Sequence, residues 1–182
     1  MPGRQVKFLV IAVAALLTAF IVSGCFASRK YAASVNGTYI TKEQYQANVD
    51  KIISYYETTA RKLKEGEKKE LKKETLDLLI NEELVTQEAQ KKKIVVTDTQ
   101  VDTYINKQKN NISDSQYQAL LKKRNYTLES YREMVRYKLV SKALSDAVTK
   151  GISDPLAKKQ AYDKYMQNVK AGSIIKVYET FK

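Results

Sequence analysis

The side chains most often used in catalysis are scarce in this chain. It has one cysteine, Cys25, and no histidine among its 182 residues. Without histidine there is no Ser-His-Asp triad, no imidazole general base and no histidine metal ligand. One cysteine can form neither an intrachain disulfide nor a cysteine-rich zinc site. We therefore predict no metal and no cofactor.

Carboxylates are the remaining candidates for acid–base chemistry. Glu82 and Glu83 are adjacent, and Glu88 follows within the same helical pattern. Neighbouring residues on a helix point in different directions, so the two adjacent acids are poor partners in a shared reaction. We expect no catalytic residue here and interpret Asn81 as an exposed or capping polar group.

The sequence before Cys25 has the pattern of a signal peptide rather than of a catalytic site. Arg4 and Lys7 precede an apolar run from residue 8 to residue 22, and Ser23 and Gly24 then lead into the cysteine. The run suits the apolar region of a signal peptide better than a membrane span, which needs about 20 residues. The alternative is an uncleaved anchor helix with an incidental cysteine. Either interpretation places the rest of the chain outside the cytoplasm, at a membrane surface.

Composition describes an ordinary globular chain with an excess of positive charge. The hydrophobic share is 43%, the charged share is 29% and the formal net charge is +12. These values favour a folded domain over a disordered chain. We predict a signal peptide over residues 1–24, a tether over 25–31 and one domain over 32–182.

The two ends of that domain are predicted to meet in a small sheet. Asn36 and Gly37 favour a type I′ turn in a hairpin over residues 32–40. Residues 174–178 are rich in β-branched and apolar side chains and predict a strand. A lone terminal strand needs a partner, and the hairpin is the only good one in the sequence.

Helices are predicted for most of what lies between. Thr41 with Gln44, Thr97 with Gln100 and Ser113 with Gln116 have capping-box spacing. The predicted helices run over 41–64, 68–92, from 97, from 113, from Thr127 to about 150, and from 153 to 171, with glycines as breaks at Gly66, Gly151 and Gly172. The fold class is therefore mainly α with a small β-sheet, or α+β.

The positions of apolar and tyrosine residues predict which helix faces are buried in that fold. Two stripes on the helix over 68–92 predict that it is buried on most sides, namely Leu76, Leu79, Ile80 and Leu84, with Leu71, Leu78, Val85 and Ala89. Five of the 13 tyrosines fall on core stripes: Tyr45, Tyr56, Tyr104, Tyr131 and Tyr165. Tyr55 and Tyr137 lie off the stripes and are the candidates for contact with a bound polypeptide.

Basic residues cluster in runs at 61–73, 91–93 and 122–124. One interpretation is attraction to an anionic envelope or to acidic unfolded polypeptides. The other is a set of solvated helix faces with ion pairs such as Glu65–Lys69 and Glu70–Lys73. No nucleic-acid recognition motif is present, and we expect no nucleic-acid partner.

Several segments together resemble known protein families. Val22-Ser23-Gly24-Cys25 resembles the lipobox of bacterial lipoproteins, which implies cleavage between Gly24 and Cys25 and a diacylglycerol thioether on Cys25. The segments 35–43, 76–84 and 126–132, with the tail over 162–178, resemble the N-terminal chaperone domain of SurA and PrsA. This resemblance implies a SurA N-terminal, trigger-factor-like peptide-binding fold.

The chain departs from that family at one place. SurA and PrsA usually carry a parvulin prolyl-isomerase domain before the closing helix, whereas residues 151–155 here join the two last helices directly. The resemblance therefore implies the non-catalytic part of these foldases and no enzyme activity. The expected function is an ATP-independent holdase for unfolded or newly exported polypeptides, lipid-anchored at the extracytoplasmic face of a bacterial cell membrane.

A second class of function stays open at this point. A structural or adaptor lipoprotein would use the same fold to dock one fixed partner, such as a secretion component or a separate prolyl isomerase. A broad apolar groove favours the holdase, whereas a flat charged surface with one tight contact favours the adaptor. The sequence assigns no oligomeric state.

Overall fold

The computed structural model describes residues 30–58, 62–109 and 112–181. The predicted signal peptide, Gly24 and Cys25 lie outside the described residues. The described elements are strands β1 (Tyr31–Val35) and β2 (Thr38–Thr41), helices α1 (Lys42–Thr58), α2 (Glu65–Lys91), α3 (Asp98–Lys109), α4 (Asp114–Lys123), α5 (Leu128–Val148) and α6 (Pro155–Ala171), and strand β3 (Ile175–Val177). The predicted α+β fold class is confirmed.

Both ends of the described chain meet in one antiparallel sheet with the strand order β2-β1-β3. Asn36 and Gly37 have φ angles of 51° and 91°, which is the left-handed conformation that a type I′ turn requires at both central positions. The hairpin aligns Val35 with Thr38 across the turn, and β3 aligns Ile175 with Val35 on the other side of β1. The predicted pairing of the terminal strand with the hairpin is confirmed.

Asn36 joins three separate parts of this arrangement. Its side-chain amide donates to Gln87 Oε1 on α2 at 2.8 Å and to Ser173 Oγ at 3.2 Å. Its side-chain oxygen accepts from the backbone N–H of Ile174 at 2.8 Å. The turn residue therefore fixes the hairpin both to α2 and to the segment that enters β3.

The helix starts follow the predicted capping residues. Thr41 and Gln44 bond each other reciprocally, with the Gln44 N–H donating to Thr41 Oγ1 at 3.1 Å and the Thr41 N–H donating to Gln44 Oε1 at 3.0 Å. The same exchange opens α3 and α4. Asp154 caps α6 at 2.6 Å, with Pro155 in its first turn. These bonds satisfy N–H groups that have no partner within the helix.

Two predictions around the first helix are wrong. Helix α1 is described over Lys42–Thr58 and residues 62–64 are not helical, so the helix does not reach residue 64. Gly66 lies inside the first turn of α2 instead of separating the helices. The reason is a capping bond: the Lys64 N–H donates to Glu67 Oε2 at 2.9 Å and moves the start of α2 to Glu65. Glycine costs little in a first turn, where amide groups lack helical partners in any case.

The predicted ion pair between Glu65 and Lys69 is also wrong. Glu65 instead pairs with Lys68, one residue earlier, at 2.8 Å, while the predicted Glu70–Lys73 pair is present at 3.7 Å. Both observed pairs have the spacing i, i+3. They lie on an exposed face, so each adds little to stability.

Two hydrophobic cores hold the fold together. The first, which we call the sheet core, joins the sheet with α1 and α2, and the second, the helical core, joins α3, α4 and α5. The sheet core contains Ala32, Ala33, Val35, Ile40, Tyr45, Val49, Leu76, Ile80 and Leu84. Met166 and Val169 of α6 pack against it. The helical core contains Val101, Ile105, Tyr117, Leu121 and Val135. None of the helices described in residues 30–58, 62–109 and 112–181 is both long and apolar enough to cross a membrane.

Candidate functional site

A large open groove lies between the two cores. Its volume is about 1200 Å³. This exceeds the range of about 300–1,000 Å³ that is usual for small-molecule pockets, and it suits a longer ligand. Strand β2 and helix α1 form one wall of the groove, α2 forms its floor, and α5 with the α4–α5 loop forms the other wall. The lining residues are Thr38, Tyr39, Ile40, Gln44, Asn48, Lys51, Ile52, Tyr55, Leu78, Leu79, Glu82, Glu83, Thr86, Arg124, Tyr126, Ser130, Glu133, Met134 and Tyr137.

Large apolar side chains face solvent in this groove. Tyr39 is 48% exposed, Tyr55 is 59% exposed and Leu78 is 47% exposed. Leu79 and Met134 add partly buried apolar surface from the two opposing cores. Apolar surface of this kind, gathered in one concavity, is typical of a binding site rather than of ordinary protein surface.

Leu78 corrects the prediction for its helix. The two apolar stripes predicted that α2 is buried on most sides, yet Leu78 is about half exposed. The reason is that the elements packed against α2 leave a gap between the sheet core and the helical core, and Leu78 lies on the floor of that gap. At this position the wider stripe therefore lies on the groove floor instead of in a core.

Tyr55 and Tyr137 line the same groove from opposite walls. Tyr55 lies on α1 and is largely exposed, whereas Tyr137 lies on α5 and is partly buried. Burial, together with the nearby charge of Glu82, raises the pKa of Tyr137 to about 12. The structure thus brings both sequence-selected tyrosines to one site, with different degrees of exposure.

Carboxylates are concentrated in the groove. Glu82 and Glu83 lie on α2, and Glu133 lies on α5. The side chains of Glu82 and Glu83 were expected to point in different directions. Both nevertheless line the groove, because it is wide enough to span two adjacent positions of α2. Glu83 accepts a hydrogen bond from Gln87 Nε2 at 2.7 Å. Glu82 is partly buried, and this burial raises the pKa of its carboxyl group.

Basic side chains occur at one end of the groove. Lys51 of α1 places its Nζ 3.1 Å from the centre of the Tyr126 ring, a cation–π contact. Beside it, Asn125 donates to Ser54 Oγ at 2.8 Å and ties the α4–α5 loop to α1. Of the basic runs noted in the sequence, only Arg124 lines the groove; Arg61 lies outside the described residues.

The remaining sequence-selected residues lie elsewhere. Glu88 is buried away from the groove, where it accepts a hydrogen bond from the Tyr165 hydroxyl at 2.5 Å and pairs with Lys91 at 2.6 Å. These bonds, together with nearby lysines, outweigh burial and lower its pKa. Asn81 is exposed, as expected. No group of side chains in the described part of the chain is suited to hold a metal ion.

Sequence reasoning missed several groove residues. Tyr39 and Tyr126 enter the sequence analysis only within the predicted hairpin and the segments that resemble the SurA and PrsA domain, and the sequence predicts no role for Glu133 or Met134. Their signal was weak because each becomes part of the groove only when α5 packs against α2. Tyr39 had the clearest signal, since it is a large side chain whose neighbour in the strand, Ile40, takes the buried position.

One comparison with known proteins shows the family of this chain. A family model described as the SurA-like N-terminal domain matches residues 3–145. A search of curated proteins finds no match. Among solved structures, the chain is similar to one from work on PEB4 and Cj1289, two SurA-like chaperones of Campylobacter jejuni, with 22% sequence identity and a TM-score of 0.46.

That structural match covers 78% of this chain and 51% of the other, so this chain spans about half the length of the solved relative. The family match is the stronger result, because it extends over most of the chain, from the N-terminal region through nearly all of α5. This protein therefore belongs to the SurA-like N-terminal domain family.

Proposed function

We propose that this protein is an extracytoplasmic chaperone that holds unfolded or newly exported polypeptides in the groove between its two cores. Membership in a family of SurA-like chaperones supports a role in protein folding. The observation that carries the proposal is the open groove of about 1200 Å³, with half-exposed Leu78, Tyr39 and Tyr55 on its surface.

The groove suits a weak and exchangeable client contact. Tyrosine supplies a broad apolar ring with a hydroxyl group, and leucine and methionine supply apolar surface without directional demands. An unfolded segment can bury its own apolar side chains against this surface and leave again. Such binding is reversible burial of apolar area, so it requires neither ATP nor a metal.

Anchoring at the membrane is the second part of the proposal. Cys25, after cleavage at the Gly24–Cys25 bond, carries the lipid and holds the domain at the outer face of the cell membrane. A thioether-linked diacylglycerol provides two chains, which is what stable anchoring requires. We expect radiolabelled palmitate to be incorporated into the full chain expressed in a bacterium. Cys25→Ser removes the label, and labelling that persists in this variant contradicts the anchor.

A dedicated adaptor that docks one fixed partner is the competing function. It requires a surface specialised for that partner, with a few tightly packed contacts. The open groove with exposed tyrosines supports the holdase instead, because its size and chemistry suit many sequences.

Suppression of aggregation tests the holdase. Two unrelated unfolded model proteins are diluted into buffer with the soluble chain that begins after Cys25, and light scattering is recorded. We expect near-stoichiometric amounts to suppress the aggregation of both. Leu78→Ser replaces exposed apolar surface in the groove and should weaken suppression several-fold at unchanged folding.

Leu156→Ser is the matched control, because Leu156 is 63% exposed on α6 and does not line the groove. It should retain wild-type suppression. A folded wild-type chain that suppresses neither client, or equal effects of the two leucine variants, contradicts binding of clients in this groove. The first of these results favours the adaptor.

A further inference from the structure

The charge in the groove is opposite in sign to the charge of the whole chain. The chain has a formal net charge of +12, yet the groove is lined by three carboxylates and two basic side chains. Of the two basic side chains, Lys51 of α1 lies over the Tyr126 ring, and Arg124 lines the groove from the α4–α5 loop. The floor of α2 carries Glu82 and Glu83 and no basic residue that lines the groove.

Among the three carboxylates of the groove, Glu82 differs from the other two in its partners. Glu83 accepts from the Gln87 amide, and Glu133 lies 3.6 Å from Arg136. For Glu82, no ion pair with a basic side chain is found among residues 30–58, 62–109 and 112–181, although it is partly buried. Burial without a compensating charge is costly for a carboxylate. A cation brought by a ligand would remove that cost.

Apolar side chains adjoin Glu82 on one side, and Thr86 lies one helical turn after it on α2. Leu78 and Leu79 lie one helical turn before it on α2, and Tyr137 faces it from α5. The aliphatic stem of a lysine or arginine can lie along such a surface while its charged group reaches the carboxylate. The groove thus offers apolar contact and a negative charge to the same side chain.

On this basis we propose that the groove selects polypeptide segments in which a lysine or arginine lies within an apolar stretch, with that cation docked on Glu82. This inference rests on the proposed client-binding function and specifies its substrate class. It also differs from one interpretation of the basic runs in the sequence, namely attraction to acidic unfolded polypeptides. Long-range attraction by the net positive charge favours acidic ligands, so a preference for basic ones must come from the groove itself.

Three fluorescein-labelled peptides of eleven residues test the proposal. They share one sequence of leucine, phenylalanine and serine, and differ only in a central lysine, glutamine or glutamate. Binding to the soluble chain after Cys25 is measured by fluorescence anisotropy at 150 mM salt, where the Debye length is about 8 Å and long-range attraction is screened. We expect the lysine peptide to bind about five-fold more tightly than the glutamine peptide, and the glutamate peptide to bind most weakly.

Two glutamate variants separate docking on Glu82 from a general charge effect. Glu82→Gln should abolish the difference between the lysine and glutamine peptides. Glu74→Gln lies on the same helix, at an exposed position outside the groove, and should leave the difference unchanged. Circular dichroism shows whether each variant is folded. A lysine preference that is absent in the wild type, or that persists in Glu82→Gln, overturns the proposal.

Leu78→Ser distinguishes the failure of this inference from the failure of the proposed function. If all three peptides bind equally well and Leu78→Ser weakens all of them, the groove binds clients but does not select basic ones. If none of the peptides binds the folded wild-type chain, then both the groove function and the charge preference are wrong.

Discussion

At the scale of single residues, Glu82 is the position where folding and binding make opposite demands. Its carboxyl group is partly buried on α2, and burial raises its pKa. A residue chosen only for stability would be neutral or apolar here. Perturbed carboxyl groups of this kind concentrate at functional sites, where their cost in stability is tolerated.

We therefore predict that Glu82→Gln stabilises the chain near pH 7. Since the native pKa of Glu82 lies above its ordinary value of 4.5, the native state binds the proton more tightly than the unfolded state. The wild type thus loses stability as the pH rises from the ordinary pKa through the raised native value. Urea unfolding should show the variant to be more stable at pH 7, with the difference shrinking below pH 4.5.

Glu74→Gln is the control for this measurement, because its carboxyl group is exposed on the same helix. Its stability should follow the wild type over the whole range. A Glu82→Gln curve that runs parallel to the wild type from pH 4 to pH 8 contradicts the proposed cost of burying this carboxylate.

The residue scale also shows where prediction from sequence stops. Tyr55 and Tyr137 could be selected because they lie off the apolar stripes of their helices, and both line the groove. Glu133 and Met134 carry no such signal. Their place in the groove depends on the packing of α5 against α2, which involves residues far apart in the chain.

At the scale of elements, the pairing of the N-terminal hairpin with strand β3 depends on the turn between β1 and β2. Sequence alone predicted the hairpin, the capping residues and the closing strand, because each depends on local turn or cap chemistry. The predicted start of α2 at residue 68, after a break at Gly66, is wrong, because the bond from the Lys64 N–H to Glu67 starts the helix earlier. Whether a glycine interrupts a helix or lies within its capped first turn depends on the local backbone geometry.

Asn36 provides a test of how the turn holds the sheet to α2. Asn36→Gly keeps the left-handed backbone but removes the bonds to Gln87, Ser173 and the Ile174 N–H. We expect a loss of about 1 kcal/mol in the free energy of unfolding. For a chain of this size, that loss corresponds to about 2–4 °C in the thermal midpoint.

Asn36→Ala should cost more than Asn36→Gly. Alanine loses the same bonds and must also adopt a φ angle of 51°, which adds about 1 kcal/mol of backbone strain. Thermal unfolding followed by circular dichroism checks both variants. An alanine variant as stable as the glycine variant contradicts the role given to the left-handed turn.

At the scale of the whole molecule, the groove exists because the fold has two cores instead of one. The sheet core includes the hairpin, α1 and part of α2, and the helical core forms around α3, α4 and α5. Leu78 and Glu82 on α2 are exposed to the space between them. Sequence periodicity predicted the elements and most of the buried residues, but not this separation, which is a property of tertiary packing.

The central claim is that unfolded clients lie in this groove. Site-specific photocrosslinking tests this claim most directly. A photoreactive phenylalanine analogue replaces Tyr55 in the groove or, in a control variant, Leu156 on α6. Each folded chain is then irradiated with an unfolded client. We expect client crosslinks from position 55 and few or none from position 156. Equal crosslinking from both positions, or crosslinks from position 156 alone, would contradict it.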